Sequence, residues 1–272
     1  MTPVNKPFHE RLRAGEMVFG TLIVSPSPMW PRALEGSGLD FVFIDTEHIA
    51  LDRVQVSWMC QAYARMGLPP IVRIPSPDPF EATKMLDGGA AGIIAPYIET
   101  AEQAQALRGA VKLRPVKGRR LTERLEEKPF EPVLEEYVRG RNGQALILNI
   151  ESVPAIEALD EILAVPDLDA VLIGPHDLSC SLGIPEQYTH PKFREATRTI
   201  FGKARAAGIG AGVHYWGDLA LEADFVRDGA NMLIHSADIS LFQKHLRLEI
   251  ETLRQMLGIK AADDGGAERI SI

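Results

Sequence analysis

Cysteine is nearly absent: the 272-residue chain has two, Cys60 and Cys180, far apart and without Cys-x-x-Cys spacing. That excludes a disulfide framework and a thiolate zinc site, and makes a reducing cytoplasm the expected compartment. No apolar run approaches the ~20 residues that cross a bilayer, and residues 1–10 carry no apolar export core, so a soluble, unexported protein with no membrane partner is expected. Positive charge is also in deficit, with 29 Lys and Arg against 37 Asp and Glu for a net charge of -8. This balance argues against nucleic acid as a partner and makes any basic site local. No Gly-x-Gly-x-x-Gly or Gly-x-x-x-x-Gly-Lys-Ser/Thr string follows an apolar run, so the usual nucleotide-cradling loops are missing and no nicotinamide is expected.

What the chain does contain is a hydrophobic fraction of 46% beside 24% charged residues, the balance of a globular domain rather than a disordered one. Short runs rich in Val, Ile, Leu and Phe alternate with helix-length amphipathic stretches. The runs are 17–23, 41–44, 70–74, 92–96, 145–150, 170–173, 209–213 and 231–234. Eight alternations predict an α/β fold, a closed (β/α)8 TIM barrel, in preference to an open doubly wound sheet. One domain over residues 1–260 is expected, with 261–272 a flexible tail and the polar stretch 115–141 a lid or binding loop.

In such a barrel the reactive groups belong where strands end. The second run ends in Asp45-Thr46-Glu47-His48, two carboxylates and an imidazole within four residues; the third ends in Arg73; the fifth in Asn149 and Glu151; the sixth in His176 and Asp177; the seventh and eighth in His214 and His235. Glu151 and Asp177 end adjacent strands, the arrangement for a hard divalent cation that keeps positions open for substrate and water. Either carboxylate also serves as an ordinary residue of a helix first turn. Arg73 can face an anionic substrate or a developing oxyanion, or simply pair with a neighbouring carboxylate. No lysine stands at a strand mouth, so neither a Schiff base nor pyridoxal phosphate is expected and a metal must act as the electron sink.

Five pieces of the chain, Phe-Ile-Asp-Thr-Glu-His, Val-Arg-Ile-Pro, Lys-Met-Leu-Asp-Gly-Gly-Ala, Asn-Ile-Glu-Ser and Ile-Gly-Pro-His-Asp-Leu-Ser-x-Ser-Leu-Gly, together resemble the HpcH/HpaI class II pyruvate aldolases. The resemblance implies a barrel of the phosphoenolpyruvate/pyruvate type and reversible cleavage of a 4-hydroxy-2-oxo acid to pyruvate and an aldehyde. It implies that Glu151 and Asp177 hold Mg²⁺, Mn²⁺ or Co²⁺, that His48 is the base, that Asp87 raises the basicity of that histidine, and that Arg73 stabilises the enolate oxygen. Asn149, His176 and Asp177 fall on the substrate-binding side. A homo-oligomer is implied, a hexamer built as a trimer of dimers, in which the terminal helix 241–257 packs on a neighbour.

The departures concern the acceptor side. The family's Pro-x-Gly-x-Arg-Gly loop reads Val116-Lys117-Gly118-Arg119-Arg120-Leu121 and lacks the last glycine, and His176, His214-Tyr215-Trp216 and His235 make the mouth rich in imidazole and aromatic rings. His176 with His214 or Tyr215 is expected to form a polar wall for a hydroxylated or carboxylated acceptor. Two further readings compete. One is a Claisen-type lyase or synthase acting on an acyl thioester or citrate-like substrate, for whose CoA tail only Lys117, Arg119, Arg120 and Arg124 are candidates. The other is a non-catalytic carboxylate-binding protein, against which the retention of His48, Asp87 and Arg73 counts.

Overall fold

Segments apolar on both faces need a sheet that is covered inside and out, and the eight apolar runs find it in a closed barrel. A computed structural model describes residues 6–259. Its strands are β1 (Val18–Leu22), β2 (Phe41–Asp45), β3 (Pro70–Arg73), β4 (Gly92–Ala95), β5 (Ala145–Asn149), β6 (Ala170–Ile173), β7 (Gly210–Tyr215) and β8 (Met232–Ala237). All neighbours are parallel and in sequence order, and β8 closes on β1. The fold is thus a (β/α)8 barrel; the tail expected at 261–272 lies outside the described residues. Cys60 is buried, Cys180 is exposed, and both are free thiols. No described helix is long and apolar enough to cross a membrane.

The period of two along each strand sorts side chains into two layers. Phe41 and Phe43 of β2, with Ile71, Ile94, Ile147, Leu172 and Ile234, fill the barrel, whereas Val42, Ile44, Val72, Ile93 and Leu148 point out beneath the helices. At Gly20 a Cβ would overlap the Phe41 ring, so glycine in β1 is what lets that ring occupy the barrel axis. The helix Phe8–Ala14 plugs the end where strands start, with Phe8 and Phe41 ring centroids 4.9 Å apart. Beneath it the buried Asp169 takes Lys112 Nζ at 2.5 Å on one oxygen and Arg13 Nε at 2.7 Å on the other. The open end is therefore the one where strands finish.

The excursion after the helix Ala101–Lys112 forms two short helices, Gly118–Leu125 and Pro132–Arg139, over a small cluster of Leu113, Phe130 and Val138. It joins the end of a barrel helix to the start of β5, which places it at the plugged face. This corrects the expectation of a lid, since the excursion stands at the wrong end to cover its own mouth. Three of its cations are paired, Arg119 with Glu123, Arg120 with Glu131 and Arg124 with Glu135. The four candidates for a CoA tail thus stand at the plugged face, away from the strand ends. At the other extremity the helix Asp238–Met256 buries only Asp238 and exposes Leu241, Phe242, Leu246, Leu248, Ile250 and Leu253.

Candidate active site

The ends of β2 and β3 are locked together before any chemistry is considered. Asp45, buried at the last position of β2, accepts from Arg73 Nε at 2.8 Å and from the guanidinium NH2 group at 2.6 Å. Its Oδ1 also accepts from the Glu47 amide at 3.0 Å, which folds the chain back so that Glu47 Oε2 lies 3.1 Å from Arg73 Nε. Burial alone would raise the Asp45 carboxyl, but the guanidinium outweighs it and holds the group below its ordinary range. Burial likewise opposes the charge on Arg73, and hydrogen bonding and attraction from Asp45, then Glu47, push its pKa up instead. The result is a fixed cation at the barrel axis, over the Phe43 ring at 5.5 Å.

Two strands on, β5 ends in Asn149 and Glu151 follows it. Asn149 Nδ2 donates to Glu151 Oε2 at 2.9 Å, and the Tyr97 amide donates to Oε1 at 3.2 Å. Burial pushes the Glu151 carboxyl up to about 7, with repulsion from Asp177 acting in the same sense against the Tyr97 amide and Arg73. Asp177 stands in the first turn of the helix Pro175–Ser181, where the helix N-terminus favours its charge. A Cβ built on Gly174 would meet Glu151 Oε2 at 2.7 Å and Asp177 Oδ2 at 3.3 Å. Two carboxylates therefore converge over a glycine cradle, and the buried Asn149 Oδ1 beside them has no hydrogen-bond partner.

This donor set fits a hard divalent cation. It is oxygen-rich, one carboxyl is disfavoured as an anion until a positive charge arrives, and an acceptor is unsatisfied. Among the described residues no group of three or more His, Cys, Asp or Glu is placed to hold a metal ion, so the protein would supply two carboxylates and leave positions for substrate oxygens.

The other expected residues are placed unequally. His48 stands at the rim beside Glu47, with Nε2 3.7 Å from Glu47 Oε2 and its side chain nearly half exposed. Asp87 is not brought to it: it ends the helix Pro79–Asp87, at the plugged face, and pairs there with Arg114. The carboxylate beside His48 in this chain is Glu47. His214 is buried between Phe43 and Trp216, at 5.4 and 4.9 Å between ring centroids, with Nε2 3.2 Å from the Ser236 carbonyl oxygen. Burial, then Arg73, pushes it down to about 4, so it is a neutral ring donating through Nε2–H. His176 is exposed, 3.8 Å from Glu186 and 3.9 Å from Cys180 Sγ.

A cavity of about 970 Å³ opens beside Pro175 and His176 and is walled by Tyr188, Tyr215, Trp216 and His235. Tyr97, after β4, was missed by reading strand ends because Pro96 follows β4 directly. Its amide holds Glu151, and hydrogen bonding to Glu47 ahead of burial pushes its phenol up to about 12. The one sequence signal for it was an aromatic residue immediately beyond an apolar run.

Comparison with known proteins points one way. The model of the HpcH/HpaI aldolase/citrate lyase family matches residues 20–244. A 2-keto-3-deoxy-L-rhamnonate aldolase from Escherichia coli (strain K12) is 32% identical over 253 residues, 89% of this chain and 91% of the relative. The crystal structure of an HpcH/HpaI aldolase from Desulfitobacterium hafniense DCB-2 is similar with a TM-score of 0.80 at 31% identity, covering 93% of this chain and 99% of that one. The citrate synthase SbnG is similar with a TM-score of 0.78 at 28% identity, covering 92% and 98%.

Proposed function

Because this chain belongs to the HpcH/HpaI aldolase/citrate lyase family and is a carbon–carbon lyase, we propose that it is a divalent-metal-dependent aldolase releasing pyruvate, or a related 2-oxo acid, from a 4-hydroxy-2-oxo acid. The observation that carries this reading is the convergence of Glu151 and Asp177 over Gly174. These two residues would hold Mg²⁺, Mn²⁺ or Co²⁺. When bound, the cation supplies Lewis-acid stabilisation of the charge that develops on the 2-oxo acid.

The chain's own groups do the rest. His48 takes the proton of the C4 hydroxyl as the C3–C4 bond breaks; the electron pair of that bond becomes the enolate, and the aldehyde leaves. Arg73, its charge fixed by Asp45 and Glu47, faces the enolate oxygen, and being already oriented it needs no reorganisation as charge appears. Asn149 offers its free Oδ1 to a donor on the substrate side. The relative that acts on 2-keto-3-deoxy-L-rhamnonate supports a 2-keto-3-deoxy sugar acid as the substrate class. We also place this enzyme in a homo-oligomer, with the apolar face of the helix Asp238–Met256 docked on a neighbouring copy.

The likeness to a citrate synthase favours one competitor, Claisen-type condensation. An assay of purified, metal-loaded protein separates the two. Release of pyruvate from 2-keto-3-deoxy sugar acids, lost on chelation and restored by Mg²⁺ or Mn²⁺, is the expected result. Turnover of acetyl-CoA with oxaloacetate, and none of the sugar acids, would replace the aldolase reading with the Claisen one.

A further inference from the structure

Tyr97 stands between the two halves of the site. In the barrel order β3, β4, β5, the chain beyond β4 lies between Arg73, which ends β3, and Glu151, two residues past the end of β5. Simple alternation would turn Tyr97 outward with Ile93 and Ala95, which are buried beneath the helices. It does not follow them. The strand ends at Ala95, Pro96 intervenes, and Tyr97 itself takes a left-handed φ of 57°, uncommon for a residue other than glycine. Its amide donates to Glu151 Oε1 at 3.2 Å, its phenol donates to Glu47, and the residue is 52% exposed. One residue thus meets a carboxylate of the cation cradle through its backbone and the carboxylate beside His48 through its side chain.

Depth decides which substrate oxygen the phenol serves. Arg73 and Glu151 are nearly enclosed and belong to the enolate end. His48 and Tyr97 are the rim groups, each about half exposed, and Glu47 connects them, with its Oε2 3.7 Å from His48 Nε2. The phenol therefore shares with His48 the outer end of the site, where the aldehyde portion of the substrate is formed or consumed. Its O–H turns about the C–O bond without moving the ring, so the proton is free to pass from Glu47 to an oxygen beside it. Glu47 then keeps Arg73 as its partner, with Nε 3.1 Å from Oε2.

We propose that the Tyr97 hydroxyl is a further catalytic group, which donates a hydrogen bond to the aldehyde oxygen as the C3–C4 bond forms or breaks. The inference rests on the aldolase reading and extends it from the enolate to the aldehyde. In the condensation direction the enolate carbon attacks the aldehyde carbon, the C3–C4 bond forms, the carbonyl π pair moves onto oxygen, and His48 returns a proton to that oxygen. Tyr97 keeps its own proton throughout and holds the oxygen while charge develops on it. The group it recognises is the carbonyl oxygen common to all aldehydes, so it acts on rate and not on the choice of acceptor.

Tyr97→Phe removes the hydroxyl and keeps the backbone amide and the ring. Metal-loaded wild type and variant are compared in three measurements: Mn²⁺ affinity by titration, exchange of pyruvate methyl protons in deuterated water, and kcat/KM for the aldehyde at saturating pyruvate, with glycolaldehyde and with butanal. Loss of a hydrogen bond to an oxygen that becomes charged should lower kcat/KM by about tenfold or more for both aldehydes, with Mn²⁺ affinity and proton exchange within about twofold of wild type.

Exchange needs no aldehyde and so reports the enolate end separately. Because Glu47 also touches Arg73, a phenol that merely propped Glu47 would weaken exchange and condensation together. Equal losses in the two reactions would therefore overturn the proposal, as would unchanged condensation with both aldehydes. Weakened Mn²⁺ binding would move the effect to Glu151 and overturn it too. Absence of exchange in the wild-type enzyme would instead remove the aldolase reading and this inference with it.

Discussion

Arg73 has three negative neighbours, Asp45, Glu47 and Glu151, and its position among them decides what it does. With Asp45 taking two of its donors and Glu47 within 3.1 Å, the guanidinium is held in place, and the proposed mechanism uses it as a preformed oxyanion partner. Asp45→Asn keeps the shape but loses the charge, and turnover should fall about tenfold or more with a smaller change in KM. A raised KM with kcat unchanged would assign Asp45 to substrate binding instead. Gly174→Ala is the sharper test of the metal cradle, because the added Cβ falls 2.7 Å from Glu151 Oε2. Mn²⁺ affinity measured by titration should drop by tenfold or more at an unchanged thermal midpoint. His214 makes a pH prediction. Its ring, pushed from the ordinary 6.5 down to about 4 by burial and then by Arg73, stays neutral while the unfolded chain takes up a proton. Stability is therefore complete above pH 6.5 and is lost as pH falls towards 4, by at most about 3 kcal/mol. Denaturant unfolding of His214→Leu should show a flatter slope over that window than wild type, and an identical slope would contradict the assignment.

At the scale of elements, glycine positions decide how closely strands and rings approach. Gly20→Ala should cost about 1–3 kcal/mol in denaturant unfolding, because the Phe41 ring occupies the space a Cβ needs and the plugged end has no slack. Neutral behaviour would mean that the N-terminal helix Phe8–Ala14 yields more readily than its packing indicates. All eight strands were legible in the sequence because both of their faces are apolar, and the residues after them were legible because polar groups there stand out against those runs. Two helix starts close with reciprocal caps, Asp52 with Gln55 and Thr100 with Gln103. Other features were not legible. Tyr97 acts through its backbone amide, which no side-chain pattern announces. Glu222 meets His235 13 residues on, from the helix Leu219–Arg227 to the following strand β8, and nothing local distinguishes it from a solvated helix carboxylate. The excursion at 115–141 looked like a lid because length and charge do not reveal which end of a barrel a loop occupies. Asp87, expected by resemblance to tune His48, ends a helix at the opposite face within one chain, which only topology reveals.

On the scale of the whole molecule, the helix Asp238–Met256 exposes a row of large apolar side chains, a surface of the kind that marks an interface. Light scattering should give a mass several times that of one chain, and Phe242→Glu with Leu246→Glu should lower it; a monomeric wild-type protein would contradict the proposed oligomer. The barrel's two ends divide the work, with a plug of Phe8, Lys112 and Asp169 below and fixed charge around Gly174 above. The central claim is that the upper end stabilises a pyruvate enolate with a divalent cation held by Glu151 and Asp177. Exchange of pyruvate methyl protons in deuterated water, followed by NMR, tests it most directly. Exchange should require Mg²⁺ or Mn²⁺, vanish on chelation, and be lost in folded Glu151→Gln/Asp177→Asn protein. Undiminished exchange in that double variant, or after the metal is removed, would contradict the account.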